Sequence, residues 1–516
     1  MKEISIEPRK YQEDIFDVIK DKNSLVVLPT GTGKTLIAIM VVVDKFKKNP
    51  LQKIVILAPT RPLVEQHLAT FQKMLPDGWA DMQIFTGKTN AENRKKIWQT
   101  AEFIFSTPQC IANDIRKELY KLDEVSLLVL DEAHRCLKNY AYNKVAARYK
   151  MQNDMSQVLA LTASPGGDKE SIQNVCNNMN IEVVEVRTRD SPDVKPYLQE
   201  LDFAKIFVDF PPEFMEMKIL LDGIYDDRVN ELKARKLLFG YGNKVMLLKL
   251  QSRLMNELKR GKKDGNKMLG VSSCAQALKV SHAIELLETQ TLTSFVEYMR
   301  DLFKQSAEKK SRGVQKLTSD ARFTRAYSLA LSSGIEHPKL EELKIQVKDK
   351  MFEDPSSKII VFAQFRETIN KIKDVLNVID GVNVGVFVGQ AIKENSKGVK
   401  TGLKQREQKE MIEKFTRGEI NVLVATSIAE EGLDIPEVSS VIFYEPVPSA
   451  IRKIQRSGRT ARLAPGELKI LITKGTRDEI YYYSSFNKEK KMHKAIGEIQ
   501  RNGLSKISEQ RTLEIL

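Results

Sequence analysis

A glycine-rich loop near the N-terminus has the residue types that bind a nucleoside triphosphate. Residues 28–35 of this 516-residue chain read LPTGTGKT, between a short apolar run and the helix-like run TLIAIMVVV. Backbone N–H groups in such a loop, and the first turn of the following helix, bind phosphate oxygens. Lys34 would reach the β- and γ-phosphates of ATP, and the Thr35 hydroxyl would bind Mg²⁺. The loop residues expected to surround the nucleotide are Thr30, Gly31, Thr32, Gly33, Lys34 and Thr35.

Two adjacent carboxylates, Asp131 and Glu132, end the apolar run SLLVL. A carboxylate at the end of a buried strand can hold Mg²⁺, often through water, and we expect Asp131 to do so. Glu132 is then placed to orient and deprotonate an attacking water. The strict glycine-rich pattern has glycine where this chain has Leu28. The Asp131–Glu132 pair by itself could be an ordinary charged turn at the end of a strand. The prediction of ATP hydrolysis therefore depends on the glycine-rich loop and the two carboxylates together.

Arginines far along the chain could complete this site. Residues 449–462 read SAIRKIQRSGRTAR, a helix and turn rich in cations. Phosphoryl transfer needs positive charge beside the γ-phosphate, and arginine supplied from a second lobe meets that need. We expect Arg459 and Arg462 to act in this way and Gln455 to sense the γ-phosphate. A basic helix that binds backbone phosphates is the alternative for this segment.

The elements that must position these residues form two α/β lobes. The short apolar runs SLVVL, KIVILA, EFIFS, SLLVL and QVLAL alternate with helical stretches in the first lobe. The pattern begins again with KIIVFA, VNVGVFVG, INVLVAT, SSVIFY and LKILIT. Such alternation predicts parallel sheets covered by helices on both faces. We expect a first lobe with the ATP site at residues 1–200 and a second lobe at residues 336–490, followed by a helical tail at residues 491–516.

The segment between the lobes, residues 201–335, is predicted to be an inserted, basic, all-helical domain. No proline occurs between residues 213 and 337, and apolar residues recur there at helical spacing. Residues 201–335 contain 23 lysines and arginines against 16 aspartates and glutamates, half of the net charge of +14 of the chain. The excess indicates a polyanionic partner or an ordinary basic surface. The basic turn RGKKDGNK at residues 260–267 could likewise contact nucleic acid or be a solvated loop between helices.

Other features exclude several classes of protein. The four cysteines are scattered without a C-x-x-C pair, which argues against a zinc site and a disulfide framework. The charged N-terminus has no apolar segment typical of a signal peptide, and the longest apolar runs are too short to span a membrane. We therefore expect a soluble, cytoplasmic protein with no membrane partner.

These motifs, in this order, resemble those of the superfamily 2 helicases of the DEAH-box type, whose lobes are RecA-like. Further matches are RKYQ (9–12), APTRPLVEQ (58–66), STPQ (106–109), TAS (162–164), VFAQFRET (361–368) and ATSIAEEGLDIP (425–436). The resemblance implies nucleotide contacts by Arg9, Gln12, Gly432 and Asp434. It implies nucleic-acid contacts by Arg61, Thr107, Gln109, Gln364, Thr426 and Ser427. Thr162 and Ser164 would couple hydrolysis to strand movement, and Ala461 stands where the family usually has glycine.

A narrower resemblance is to the archaeal Hef and Fanconi-anaemia M-type helicases. It rests on SPDVKPY (191–197), HAIELLETQ (282–290), QREQ (405–408) and FYEPVPSAIRKIQR (443–456). It implies an ATP-dependent DNA helicase or translocase acting on stalled forks and Holliday junctions, a prokaryotic and archaeal type of protein, with replication and repair proteins as candidate partners. The nuclease signature E-R-K-x-x-x-D of some members does not occur in this sequence, so we expect no nuclease activity from it. An RNA-dependent ATPase of the RIG-I type and a non-motor ATP-binding scaffold are the alternatives.

Overall fold

Two parallel sheets and a bundle of helices make up the structure, a computed structural model. It describes residues 4–137, 140–166, 169–261, 264–389, 393–394, 400–426, 435–449, 460 and 465–502. Among these residues, no helix combines the length and the apolar character needed to cross a bilayer. The two α/β lobes and the intervening helices confirm the fold class predicted from the sequence.

The first lobe is built on a sheet with seven strands in the described residues, ordered β3-β4-β2-β5-β6-β1-β7 and parallel throughout. Helix α2 is buried on every side from Leu36 to Val43, which explains its unbroken apolar run. The strands are β1 Ser24–Val27, β2 Lys53–Leu57, β3 Met82–Phe85, β4 Phe103–Ser106, β5 Val125–Leu130, β6 Val158–Thr162 and β7 Val183–Val186. The helices are α1 Lys10–Ile19, α2 Lys34–Lys48, α3 Arg61–Met74, α4 Ala91–Thr100, α5 Pro108–Arg116, α6 Ala141–Gln152 and α7 Lys169–Met179.

The helical insertion follows, and its described helices lie between residues 212 and 332. Two apolar clusters form its interior, one centred on Phe214, Phe295 and Phe323 and a smaller one around Leu247 and Leu254. The helices are α8 Pro212–Ala234, α9 Lys244–Lys259, α10 Gly265–Thr289, α11 Leu292–Ala307, α12 Arg312–Thr318 and α13 Ala321–Ser332.

The second lobe is built on a sheet with six strands in the described residues, ordered β10-β13-β9-β14-β15-β8 and parallel. A separate antiparallel pair, β11 and β12, lies outside this sheet. The strands are β8 Leu201–Val208, β9 Ile359–Phe362, β10 Val384–Phe387, β11 Lys393–Glu394, β12 Lys400–Thr401, β13 Val422–Ala425, β14 Ser440–Phe443 and β15 Gly466–Thr473. The helices are α14 Pro338–Glu353, α15 Arg366–Leu376, α16 Gln405–Arg417 and α17 Arg477–Asn502.

Two boundaries differ from those expected. The insertion expected from residue 201 begins later, because β8 (Leu201–Val208) pairs with β15 along its whole length and so belongs to the second sheet. The tail expected from residue 491 is instead the end of α17, which starts at Arg477 in the second lobe. Met492 and Ala495 of this helix pack into the core of the first lobe. The chain therefore crosses between the lobes once before the insertion and once again in α17.

Candidate ATP site and nucleic-acid edge

The predicted ATP-site residues of the first lobe follow three neighbouring strands. The order β5-β6-β1 places the carboxyl ends of these strands side by side. The glycine-rich loop follows β1, Asp131 and Glu132 follow β5, and Thr162 ends β6. Ligands of open parallel sheets bind outside the carboxyl ends of the strands. The fold thus brings these separate motifs to one edge.

Backbone geometry of the glycine-rich loop explains two of its glycines. Gly31 and Gly33 have φ values of +81° and +79°, in the left-handed region that favours glycine. A Cβ on Gly33 would also collide with Nε2 of Gln12. That amide donates to the carbonyl of Thr32 at 3.1 Å, and the Tyr11 hydroxyl donates to the same carbonyl at 2.5 Å. Two side chains of helix α1 therefore fix the backbone of the glycine-rich loop.

These contacts bear on two residues expected to surround the nucleotide. Gln12 is only 2% exposed, and its Oε1 accepts the backbone N–H of Arg9 at 2.8 Å. The hydroxyl of Thr32 is buried and donates to the carbonyl of Pro29 at 2.7 Å. In this arrangement both side chains support the loop instead of facing an open site.

Lys34 bridges the start of the loop through its ammonium group. Its Nζ donates to the carbonyls of Leu28 and Pro29 at 3.0 and 3.1 Å. Its charge also contributes to lowering the pKa of Asp131, so the two groups lie within electrostatic reach of each other. A phosphate in the loop would offer the ammonium a stronger, charged acceptor than these carbonyls.

The Asp131 carboxylate is almost buried and firmly oriented. Its Oδ2 lies 2.8 Å from Nε2 of His67, and its Oδ1 accepts the N–H of Glu132 at 2.9 Å. Burial opposes ionisation, but the hydrogen bond from His67 and the charges of His67 and Lys34 outweigh it, so the pKa of Asp131 is below its usual value. The Tyr142 hydroxyl donates to the Asp131 carbonyl at 2.6 Å and fixes the backbone.

The residues present fit a magnesium ion. Asp131 supplies an ionised carboxylate, and the half-buried Thr35 hydroxyl at the start of α2 makes no hydrogen bond to the described residues. Oxygen donors of these kinds suit Mg²⁺, which protein sites hold with one or two carboxylates together with substrate phosphates.

Glu132 has the backbone and side-chain features of a residue under constraint. Its φ of +52° lies in the left-handed region, which is uncommon for glutamate. Its buried Oε2 makes no hydrogen bond to the described residues, although His134 Nδ1 lies 3.2 Å away. The same His134 nitrogen is 3.3 Å from the Thr162 hydroxyl, which donates to the Ser164 carbonyl at 2.9 Å. A polar chain thus joins Glu132 to Thr162 and Ser164, the two polar residues of the TAS motif.

An aromatic group flanks the outer end of the site. The Arg9 guanidinium lies 4.8 Å from the ring centroid of Tyr197, and the rings of Tyr11 and Tyr197 are 5.5 Å apart. Arg9 and Tyr197 are both partly exposed, which leaves planar surfaces accessible beside the loop. A planar guanidinium and a phenol ring are groups on which a purine base can stack.

The other half of the first-lobe edge carries the predicted nucleic-acid residues. Strands β2 and β4 are neighbours, and Arg61 and Thr107 follow their carboxyl ends. The Arg61 guanidinium is paired with Glu65, with an Nη2 to Oε1 distance of 2.6 Å. Thr107 is the N-cap of α5 and its side chain makes no capping hydrogen bond within the described residues, and Gln109 is exposed in the first turn. The second lobe repeats the arrangement, because Gln364 follows β9 and Thr426 follows the adjacent β13.

Some expected site residues lie outside the described part of the chain. They are Ser427, Gly432, Asp434, Gln455, Arg459 and Arg462. Thr460, between the two arginines, is described: its buried hydroxyl donates to the Val438 carbonyl at 2.7 Å.

Sequence reasoning missed His67, Tyr142 and Tyr197, which all contact the site. His67 lies 64 residues from Asp131, and Tyr197 is still farther along the chain from Tyr11, whereas Tyr142 is 11 residues from Asp131 but lies in helix α6. His67 follows the matched segment APTRPLVEQ directly, and that position is the one signal that could have drawn attention to it.

Taken together, a phosphate-binding loop and a strand-end carboxylate pair on one of two parallel-sheet lobes define a P-loop ATPase with helicase architecture. Models of known protein families match the first lobe, the helical insertion and the second lobe in turn. Residues 9–215 match "DEAD/DEAH box helicase", residues 339–464 match "Helicase conserved C-terminal domain", and residues 213–337 match "Putative ATP-dependent RNA helicase, helical bundle".

Individual proteins give the same result. The chain is 43% identical to the structure titled "Crystal structure of Pyrococcus furiosus Hef helicase domain", with a TM-score of 0.69, covering 93% of this chain and 98% of that one. It is 38% identical over 95% of its length to "Putative ATP-dependent RNA helicase MJ1505" of Methanocaldococcus jannaschii, and 32% identical over 91% to "ATP-dependent DNA helicase mph1" of Neurospora crassa.

The chain therefore belongs to the DEAD/DEAH-box helicases of superfamily 2, in the group that contains Hef and the Fanconi-anaemia M-type helicases. It spans 61% of the length of the Methanocaldococcus relative and 41% of the Neurospora relative.

Proposed function

We propose that this helicase is an ATP-dependent DNA helicase or translocase that acts on forked or branched DNA. The observation that carries the proposal is the division of one sheet edge into two halves. The ends of β5, β6 and β1 bear the ATP-site residues, and the ends of β2 and β4 bear the nucleic-acid candidates. Nucleotide state can therefore be transmitted to the nucleic acid through a single rigid sheet. The DNA substrate comes from the name of the Neurospora relative.

At the ATP half, Lys34 binds the β- and γ-phosphates in exchange for the carbonyls of Leu28 and Pro29. Thr35 and Asp131 would hold Mg²⁺, which when bound would supply charge neutralisation on the phosphate oxygens. Glu132 accepts a proton from the attacking water through its unbonded Oε2. Arg9 and Tyr197 stack on the adenine.

The second lobe supplies the remaining groups. Arg459 and Arg462 neutralise charge that develops on the γ-phosphate side, and Gln455 contacts that phosphate. Gly432 and Asp434 face the nucleotide from the same lobe. Because these groups reach the ATP only when the lobes are close, hydrolysis and release reopen the cleft and drive the cycle. Thr162 and Ser164 relay the change from Glu132 through His134.

The nucleic-acid track, meaning the strand-end residues of both lobes that contact the DNA, binds phosphates and not base edges. A motor that moves along DNA of any sequence requires such sequence-independent contacts. Strand-end donors of both lobes, Arg61 and Thr107 in the first and Gln364, Thr426 and Ser427 in the second, contact the backbone. The helical insertion adds the exposed basic residues Lys249 and Arg253 of α9, and Arg260 directly after this helix, for a second DNA arm.

One experiment tests the proposal: ATPase stimulation by single-stranded, duplex, forked and four-way DNA and by duplex RNA. We expect the largest kcat/KM for ATP with forked or four-way DNA. Stimulation by duplex RNA alone would instead support the second candidate, an RNA-dependent ATPase, which the names of the helical-bundle family and of the Methanocaldococcus relative favour.

Arg459→Ala tests the proposed role of this arginine at the γ-phosphate, measured with the DNA that stimulates the wild-type ATPase most. It should lower kcat much more than the affinity for ATP, because the arginine acts on charge that forms in the transition state. A defect confined to ATP binding would remove Arg459 from this role.

A further inference from the structure

An open groove on the outer surface of the first lobe lies beside the predicted nucleic-acid edge. It has a volume of about 590 Å³ and runs between α5 and α6, which pack side by side against the first sheet. Its floor is formed by Ala112, Ile115 and Ala141. Of the assigned site residues that the structure describes, Gln109 alone lines this groove.

The groove carries a concentrated positive charge. Arg116 of α5 and Lys144 and Arg148 of α6 line it, against the single acidic residue Glu118. All three cations are exposed, and none has an ion pair or side-chain hydrogen bond within the described part of the chain. Unpaired cations held close together repel one another, so this arrangement favours a polyanion in the groove.

The direction of the groove links it to the track. Helices α5 and α6 follow the parallel strands β4 and β5, so their N-termini lie at the strand-end edge. Gln109 and Tyr140 therefore mark the mouth of the groove at this edge, and Arg116 and Arg148 mark its far end. Seven residues of helix span about 10 Å, and one DNA strand presents a phosphate about every 3.4 Å along the axis. The groove can thus face about three phosphates of one strand.

We propose that the α5–α6 groove binds the phosphate backbone of a DNA arm that leaves the helicase track at a branch point. The inference rests on the proposed function and names where the first lobe, in addition to the helical insertion, contacts an arm of the branched DNA. The groove fits phosphates better than an acidic protein, because Tyr140 at its mouth is the one large side chain with apolar surface that is partly exposed among its described lining residues, too little to anchor a protein partner.

The test is the salt dependence of fork binding, measured by fluorescence anisotropy from about 50 to 200 mM salt. For each phosphate contact removed, the slope of log K against log salt should shrink by about 0.9. We expect R116A/K144A/R148A to lose about 2 to 3 units of slope, with its melting temperature retained because the three side chains lie on the surface. The charge-keeping variant R116K/R148K should retain the wild-type slope.

The matched control K73A/K95A/K96A removes the same charge from exposed positions on α3 and α4. Its slope should change by less than about one unit. Equal slopes in the two triple variants would overturn the groove assignment. So would unchanged DNA binding by R116A/K144A/R148A together with loss of binding to polyglutamate, which would assign the groove to acidic protein.

The two proposals fail in different ways. A wild-type protein that neither binds DNA nor is stimulated by it overturns both. A DNA-stimulated wild-type protein whose groove variant keeps its full slope on forks overturns the groove alone.

Discussion

At the scale of single residues, both oxygens of Asp131 are held by protein donors. His67 contacts one and the Glu132 N–H contacts the other. Neither contact prevents metal binding, since each carboxylate oxygen has a second lone pair. The imidazole therefore acts as a positioning group that fixes the direction in which the carboxylate faces the loop.

Replacing His67 by Ala should weaken the response to magnesium. Mutation of a residue that hydrogen-bonds a metal-binding carboxylate typically lowers the metal affinity by about 10- to 100-fold. We expect the Mg²⁺ concentration for half-maximal ATPase to rise by about 10-fold in H67A, with partial rescue in H67N. The control is H282A, which removes a histidine of the insertion that contacts Glu285 and not the ATP site, so its Mg²⁺ titration should match that of wild type even if its stability is lower. A loss of kcat at saturating Mg²⁺ with an unchanged Mg²⁺ titration would show that His67 has another role.

Glu132→Gln should separate binding from hydrolysis. The amide keeps the size of the side chain but cannot accept the proton, and general bases contribute about 10²- to 10⁴-fold to rate. We expect kcat to fall by at least about 100-fold while a fluorescent ATP analogue still binds. Glu92→Gln, an exposed change on α4, serves as the control. Appreciable turnover by E132Q would contradict the assignment of the general base.

Local motifs made part of this site predictable, and long-range contacts made the rest unpredictable. The glycine-rich loop and the Asp131–Glu132 pair are contiguous in sequence, so their chemistry can be recognised without the fold. The partner of Asp131 cannot, because α3 meets β5 only after the sheet forms. Gln12 shows the same limit. Its position in the motif RKYQ predicts a contact with the nucleotide, but in the structure its amide donates to the carbonyl of Thr32.

At the scale of elements, the strands of the two parallel sheets that the sequence did not predict share one property. Strands β3, β7 and β8 each lie at an edge of a sheet, with a single neighbour. Their side chains are partly exposed, whereas β1, β2, β4 and β5 are buried throughout. A buried strand of a parallel sheet needs an unbroken apolar run, and an edge strand does not. The central strands were therefore readable as apolar runs, whereas the edge strands β3, β7 and β8 were not; the edge strand β10 was predicted because its run VNVGVFVG is rich in valine.

The junction between the insertion and the second lobe is polar and buried. Glu285 of α10 accepts from Lys244 at 2.6 Å and from the Tyr481 hydroxyl of α17 at 3.1 Å. Nearby, the Thr368 hydroxyl of α15 donates to Gln290 at 2.8 Å. Buried polar groups of this kind are costly to separate, so the insertion and the second lobe should move as one body.

Glu285 should make stability depend on pH in the acid range. Burial raises its pKa, but the hydrogen bonds and charges of His282 and Lys244 outweigh it and lower the pKa to about 2. Because the unfolded value is about 4.3, the stabilisation is present above pH ~4.3 and is lost as the pH falls towards the folded pKa. The lost contribution is up to about 3 kcal/mol.

The measurement is urea unfolding of wild type and E285Q between about pH 2 and 6, a range that covers the folded and the unfolded pKa of Glu285. The free energy of unfolding of E285Q should vary less with pH across this window. Glu213→Gln, an exposed change at the start of α8, should retain the wild-type profile. Parallel profiles for wild type and E285Q would show that Glu285 has the same pKa in both states.

At the scale of the whole molecule, α17 contacts all three parts. Near its start, Arg477 donates to the Ser281 carbonyl of the insertion at 2.5 Å, and Asp478 pairs with Lys339 of the second lobe at 2.5 Å. Near its end, Met492 packs into the core of the first lobe, where its sulfur lies 3.0 Å from the Ser164 hydroxyl. One helix thus connects the second lobe to a residue of the TAS motif.

Met492→Glu should therefore uncouple the lobes without damaging the nucleotide loop. A buried carboxylate without a partner would drive the end of α17 out of the first-lobe core, because an unpaired buried charge is strongly unfavourable. The arginines of the second lobe would then meet the γ-phosphate less often and in poorer geometry, and small misplacements can lower rates by about 100-fold. We expect DNA-stimulated kcat to fall by at least about 10-fold, ATP binding to stay within about 2-fold, and hydrogen exchange to rise in α7 and the end of α17. The matched control is Ile480→Glu, an exposed position on the same helix. Equal ATPase activity in M492E and I480E would mean that the lobes are coupled through the DNA and the nucleotide, with α17 a passive connection.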